Sequence, residues 1–200
     1  MWYNYSGNAI RTGIGVICTD QGMWLQSMKE VPCKVLVSGP PGSGKTTLIE
    51  KVIRAIHVPV TGFLTREIRE KGGRVGFSIE TTTGRKATLA HVEIDCPFHV
   101  GRYGVSIEAL EAIAIPSLWP QSEDILIVID EIGKMECLSP LFRKAVMRAM
   151  DSPNPVLASI ARKGSPFMEG IKARKDVMLL KMTTANRDAL AAFIINELEM

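Results

Sequence analysis

From residue 34 onward the chain alternates short apolar runs with amphipathic stretches. Runs of strand length fall at Lys34–Ser38, Val58–Thr65, Ile125–Asp130, Pro155–Ile160 and Val177–Met182. Between them, apolar residues at three- and four-residue spacing predict helices at Lys45–Ile56, Ser106–Ser117, Pro140–Met150, Pro166–Ala173 and Asn186–Glu199. In the last of these, Leu190, Phe193, Ile194 and Leu198 form the expected apolar stripe. Asn186 stands at the N-cap position there, and Asp188 in the first turn favours the helix dipole. Strands alternating with helices predict an α/β fold, a mostly parallel sheet covered by helices on both faces.

One stretch breaks the alternation. Phe63–Glu70, then Lys71-Gly72-Gly73, then Arg74–Thr81 reads as two strands around a Gly-Gly turn. A further strand, Lys86–Val92, follows the Thr83-Gly84 turn, so an antiparallel hairpin insert is expected over about residues 63–92. Residues 1–27 differ from the rest: they are rich in Gly, Asn, Ser and aromatics and hold no sustained period. They are expected to be a loosely attached N-terminal extension to a single domain at 28–200. The alternative for this segment is an edge strand at Gly13–Thr19.

Composition narrows the class. A chain of 200 residues, 46% hydrophobic and 22% charged, suits one globular domain with a sizeable core. The net charge of +3 comes without any long basic run, so nucleic acid is not indicated, and an anionic nucleotide suffices as partner. Cys18, Cys33, Cys96 and Cys137 are scattered without a CxxC pair, which suggests free thiols and a cytoplasmic setting. No apolar run has membrane-spanning length and no secretory leader is visible, so no membrane role is expected.

The chemistry begins after the first strand. Gly39-Pro40-Pro41-Gly42-Ser43-Gly44-Lys45-Thr46 fits the phosphate-loop (Walker A) pattern G-x-x-x-x-G-K-[ST] in full. Glycines allow a loop to wrap phosphates with its backbone N–H groups, and the helix that follows adds its positive end. Lys45 is expected on the β- and γ-phosphates, and the Thr46 hydroxyl on Mg²⁺. The second half is Ile125-Leu126-Ile127-Val128-Ile129-Asp130-Glu131, a Walker B-like apolar strand that ends in carboxylates. It delivers Asp130 to the carboxyl edge of the sheet, where it would hold Mg²⁺ chiefly through a bound water. Glu131, one residue on, is placed to draw a proton from an attacking water.

Several segments together resemble the thermophile-type nucleoside-triphosphatase family, also called cancer-related nucleoside-triphosphatase. They are Gly39–Thr47, Thr61–Glu70, Arg74–Phe77, Gly101–Val105, Asp130–Glu136 and Thr184–Asp188. The likeness runs from about Lys34 to the C-terminus, and Asp130–Glu136 is its most specific part. It implies a RecA-like P-loop NTPase fold and slow, Mg²⁺-dependent hydrolysis of several nucleoside triphosphates (ATP, GTP, CTP, UTP) to diphosphates. It also implies a phosphate-binding segment of Gly39–Thr47, phosphate and metal roles for Lys45 and Thr46, and catalytic roles for Glu131 and Lys134. Cys137-Leu138 departs from the Glu-Leu that commonly closes the motif, and residues 1–33 have no counterpart in it.

Weaker candidates stand beside these. Arg162 and Lys163 follow a core strand and would lie at the same sheet edge as Asp130, either facing the γ-phosphate or as a solvated turn. Arg66, Arg69 and Arg74 lie on the hairpin, either closing over phosphates or as an exposed strand face. His91, Asp95, Cys96 and His99 are near one another, but the spacing is not a usual zinc pattern. Asn186-Arg187-Asp188 has part of the Asn-Lys-x-Asp spacing of a guanine reader with the Asp one position early, so weak base specificity is expected. Three functions fit: a nucleoside-triphosphatase, a nucleotide or small-molecule kinase, and a nucleotide-dependent switch with a protein or RNA partner. The oligomeric state stays open, a monomer included.

Overall fold

The computed structural model describes residues 16–19, 22–25 and 34–199. Its backbone divides into two compact units, Met1–Val31 and Pro32–Met200. In the first, β1 (Val16–Thr19) and β2 (Gly22–Leu25) pair antiparallel as a two-stranded sheet. The rest of the expected extension, including Gly13–Gly15 of the alternative strand, lies outside the described residues.

The second unit is built on a nine-stranded sheet. Five strands are parallel: β3 (Lys34–Gly39), β4 (Val60–Glu70), β9 (Leu126–Ile132), β10 (Val156–Ala161) and β11 (Val177–Lys181). Four more extend it antiparallel: β5 (Gly73–Thr81), β6 (Lys86–His91), β7 (His99–Val100) and β8 (Tyr103–Val105). The order is β11-β3-β10-β9-β4-β5-β6-β8-β7.

Alternation along the buried strands divides the core in two. Val35 and Val37 of β3, with Leu126 and Val128 of β9, face α1 (Lys45–Ala55) and α5 (Arg187–Glu199), whose Leu48, Ile49, Val52, Ala191 and Ile194 complete that cluster. Leu36, Ile127 and Ile129 face α2 (Ile107–Ser117) and α3 (Pro140–Asp151). Each of these two helices starts at a serine: Ser106 accepts from the Ala109 N–H at 3.2 Å, and Ser139 from the Phe142 N–H at 3.0 Å. Helix α4 (Pro166–Lys172) adds Met168 and Ile171 to the same layer. Of the expected α5 stripe, Ile194 is buried and Leu190 and Leu198 pack partly buried against the same cluster, joined by Ala191 and Ile195, whereas Phe193 is 41% exposed because it sits off that face.

The expected hairpin is a continuation of the sheet itself. Strand β4 is eleven residues long, and its first four pair parallel with β9, from Val60 opposite Leu126 to Phe63 opposite Ile129. From Phe63 outward it pairs antiparallel with β5, ending at Glu70 opposite Gly73. The connecting Lys71 and Gly72 have φ of +46° and +80°, a two-residue turn whose twist matches the strands. Since β4 runs parallel to its core neighbours, its outer half projects beyond the carboxyl edge of the sheet. The short strands β7 and β8 lack the alternation that would mark them in sequence.

At the opposite edge, Lys34 is 2% exposed. Its ammonium donates to the carbonyls of Ser152 at 2.9 Å, Asn154, and Ala149 at 3.5 Å, closing the C-terminal end of α3.

Candidate functional site

Strand β3 delivers Gly39 to the carboxyl edge, and residues 40–44 turn directly into α1. Gly42 and Gly44 hold φ of +73° and +93°, backbone positions that side chains disfavour. Gly44 caps α1 without any side-chain hydrogen bond, so the first amides of the helix face outward without an acceptor from the cap. Among the described residues, Ser43 Oγ is the buried side-chain polar atom that lacks a hydrogen-bond partner. An orphaned hydroxyl and open amides around one loop suit an anion with several oxygens.

Lys45 is buried beside them, with only long contacts: 3.4 Å to the Gly39 and Pro40 carbonyls and 3.7 Å to Glu131 Oε2. Thr46 Oγ1 donates to Asp130 Oδ2 at 2.6 Å, and the Ser159 hydroxyl donates to Asp130 Oδ1. Asp130 is fully buried, and burial pushes its pKa up against the pull of Ser159, Thr46 and Lys45. The Thr46 hydroxyl and the Asp130 carboxylate are adjacent hard oxygen donors, which fit Mg²⁺. Sequence reasoning missed Ser159. Its signal was a hydroxyl within the otherwise apolar Val156–Ala161 run, on the strand next to β9.

Glu131 follows Asp130 and lines the cleft, its pKa raised by burial and lowered in part by Lys45. Glu136 lines it too, 5% exposed, with burial pushing its carboxyl up to about 8 and Glu131 and Asp130 adding to the rise. Gly133 permits this crowding: a Cβ there would stand 2.6 Å from Glu136 Oε2 and 3.3 Å from Glu131 Cγ. Sequence reasoning placed Glu136 in a motif without giving it a role. Nothing in local spacing marks it as buried.

A single cleft of about 940 Å³ joins the phosphate loop, the 131–136 segment, the hairpin and the residues after β10. Gly39, Pro41, Gly42, Gly44, Lys45, Thr46, Glu131, Lys134, Arg162 and Lys163 all line it; Thr47, exposed on α1, does not. The cations divide sharply. Arg66 is held by Glu50 and by Glu80 at 3.0 Å, and Glu67 takes both Arg69 and Arg74, the latter at 2.8 Å. Arg74 also lies over the Phe77 ring at 5.0 Å. Lys134, Arg162 and Lys163, by contrast, make no side-chain hydrogen bond or ion pair with any described residue.

Two weaker candidates resolve differently. His91 Nδ1 accepts from the Glu93 N–H at 3.2 Å, and Cys96 Sγ donates to the carbonyls of Phe98 and Val105. No group of three metal-binding side chains forms among the described residues, there or elsewhere. Asn186 precedes α5 but does not cap it with its side chain. Oδ1 accepts from the Thr183 N–H at 2.8 Å and hydroxyl at 3.1 Å, and Nδ2 donates to the Lys181 carbonyl at 3.0 Å. Cys96 and Cys137 are free thiols, and no described helix is long and apolar enough to cross a membrane.

The chain is similar to known proteins. A family model described as NTPase matches residues 34–195. The nucleoside-triphosphatase THEP1 of Thermotoga sp. (strain RQ2) is 43% identical over 167 residues, covering 83% of this chain and 95% of that protein. The human cancer-related nucleoside-triphosphatase is 38% identical over 180 residues, covering 80% of this chain and 94% of that protein. The crystal structure of THEP1 from Aquifex aeolicus superposes with a TM-score of 0.78 at 35% identity, covering 84% of this chain and 99% of that one. With the family model spanning residues 34–195, relatives this similar and a shared P-loop NTPase fold, the chain belongs to this NTPase family.

Proposed function

We propose that this protein hydrolyses nucleoside 5′-triphosphates to diphosphate and phosphate in a Mg²⁺-dependent reaction that discriminates little among ATP, GTP, CTP and UTP. The observation that carries the reading is the convergence of Lys45, Thr46, Asp130 and Glu131 on one loop, beside an orphaned Ser43 hydroxyl. The names of the relatives, nucleoside-triphosphatases, support it. Lys45, held by nothing closer than 3.4 Å, exchanges its long contacts for β- and γ-phosphate oxygens. Thr46 and Asp130 would hold Mg²⁺, which when bound would neutralise phosphate charge. Ser159 keeps the Asp130 carboxylate in place.

Glu131 accepts a proton from water as that water attacks the γ-phosphorus. The bond from the γ-phosphorus to the bridging oxygen breaks, and the diphosphate leaves with that oxygen's electrons. A carboxylate with a raised pKa is a stronger base than a free one, provided a cation such as Lys45 keeps it ionised. Lys134, Arg162 and Lys163, unpaired in the same cleft, stand ready for the charge that develops on the leaving and equatorial oxygens. The hairpin arginines are already neutralised by their glutamates and are assigned no such role.

Glu131→Gln should lower hydrolysis by about 10²–10⁴-fold while triphosphate binding survives, measured as phosphate release and as calorimetric affinity. A near wild-type rate would move the base elsewhere, and loss in Lys134→Ala instead would nominate Lys134. A kinase reading draws on the cleft's extension to Phe77 and Val100, which leaves space for an acceptor. Equal release of diphosphate and phosphate without any added acceptor separates hydrolysis from it.

A further inference from the structure

The sheet order gives a bound triphosphate a direction. Glu131 and Asp130 end β9, two strands from the phosphate loop at the end of β3, with β10 between. The γ-phosphate therefore points toward β9. The remainder of the nucleotide must leave the loop on the other side of β3, which belongs to β11. This step rests on reading the loop as a triphosphate site.

The chain after β11 is locked there. The Met182 N–H donates to the Ser38 carbonyl at 2.7 Å, and the Met182 carbonyl lies 2.9 Å from where a Cβ on Gly39 would stand. Arg187 opens α5 a few residues later, and its side chain lies against the loop. A Cβ on Gly44 would meet Arg187 Nη1 at 3.3 Å and Cδ at 3.4 Å. Gly44 thus clears room for an arginine on the nucleoside side of the loop, away from the cleft that holds Glu131. The helix start is anchored from below by Asp188, which accepts from Lys51 of α1 at 3.1 Å. The Arg187 guanidinium is exposed and makes no hydrogen bond to a described residue.

Its neighbour is already spent. Asn186 Oδ1 accepts twice from Thr183 and one Nδ2 N–H donates to the Lys181 carbonyl, so a donor-and-acceptor readout of a base edge would break the turn that positions α5. We infer that Arg187 is a nucleobase platform: its guanidinium plane stacks on the base of a bound nucleotide, while Asn186 is withheld from hydrogen-bond readout. Every base presents a π-face, so stacking on a planar cation binds all four with little preference. Broad base tolerance then has a physical source in two adjacent residues, one planar and without a hydrogen-bond partner among the described residues, the other with its acceptor oxygen taken.

The test is calorimetric titration of wild type, Arg187→Lys and Arg187→Tyr with the β,γ-imido analogues of ATP, GTP, CTP and UTP, and with inorganic tripolyphosphate, all in Mg²⁺. Arg187→Lys keeps the charge but loses the plane, so affinity for all four nucleotides should fall by a similar factor, about 3- to 30-fold. Tripolyphosphate affinity should stay within about twofold. Arg187→Tyr restores a stacking surface and should recover most of the nucleotide affinity. Equal weakening of tripolyphosphate and nucleotides would make Arg187 a phosphate contact and overturn the platform. A loss confined to one base, or no loss, would overturn it equally, with the triphosphate reading untouched. Wild-type protein that binds no tripolyphosphate would overturn that reading itself, and the platform with it.

Discussion

Lys34 and Lys45 stand at the two ends of the same short passage of chain, one starting β3 and the other starting α1, and both are buried. Their surroundings are opposite. Lys34 has carbonyl partners from the C-terminal end of α3 at hydrogen-bonding distance, so its charge is consumed by the fold. Lys45 has two carbonyls at 3.4 Å and a carboxylate at 3.7 Å, each too long to satisfy an ammonium well. A buried cation with full hydrogen bonding is structure. One with loose hydrogen bonding is, on the function proposed above, poised for a ligand, and the stability it forgoes would be recovered when the ligand arrives.

Exchanging the two lysines for alanine should therefore give crossed outcomes. On the proposed function, Lys45→Ala would remove two charge-assisted contacts to phosphate, each worth roughly 1.5–3 kcal/mol, so triphosphate affinity should fall by about 10²-fold or more. Its thermal unfolding should move little, because few close bonds are lost. Calorimetric titration with a non-hydrolysable analogue and a melting curve read the two sides. Unchanged affinity, or a large fall in stability, would dissolve the contrast.

Lys34→Ala should do the reverse. It strips buried carbonyls at the end of α3 of their donor, and each unsatisfied buried group costs roughly 1–3 kcal/mol. Urea unfolding should show a loss of roughly 3 kcal/mol in total, while the folded fraction binds triphosphate with wild-type affinity. Reduced affinity in folded Lys34→Ala would mean that the two ends of β3 are coupled.

How far this contrast was legible beforehand differs between the ends. The phosphate loop and Asp130-Glu131 were visible because their chemistry demands particular residues at fixed spacing, and the parallel core because its strands are bounded apolar runs. Lys34 was invisible: a lysine opening a strand looks solvated until the fold brings 149–154 over it. Ser159 and Glu136 stayed hidden for the same reason, since burial and partners arise from strands and turns that sequence spacing does not relate. Arg66, Arg69 and Arg74 were visible as charges, but whether glutamates neutralise them depends on cross-strand register, as with Arg66 and Glu80. Asn186 was placed correctly before α5, yet the direction of its side chain was not. A short polar side chain can bond forward or backward along the chain with similar ease.

The last expected effect, read as a slope with pH, concerns the acids at the Lys45 end, where Glu136 sharpens the comparison. Lys34 acts on Asp176, whose pKa is lowered, whereas Lys45 acts on Asp130 and Glu131, which together with the neighbouring Glu136 have pKa values raised chiefly by burial. Glu136, ordinarily near 4.5, titrates at about 8 in the folded chain. The folded state thus holds a proton that the unfolded state has released, and stability falls as pH rises across that interval. The contribution is present in full below the unfolded value and is lost as pH passes through about 8. One proton corresponds to a slope of at most about 1.4 kcal/mol per pH unit. Carboxyls with lowered values, such as Glu67, Glu80, Asp176 and Asp188, have the opposite sign and titrate below the window. In metal-free buffer, Glu136→Gln should flatten the pH dependence of urea stability between about pH 5 and 8 and leave the variant more stable than wild type at the upper end. A slope that survives the substitution would assign the retained proton to Asp130 or Glu131, whose pKa values burial also raises. Loss of that slope in Glu131→Gln would place the proton on the base of the proposed reaction itself, whose activation would then depend on the charge that Mg²⁺ and Lys45 bring to the cleft.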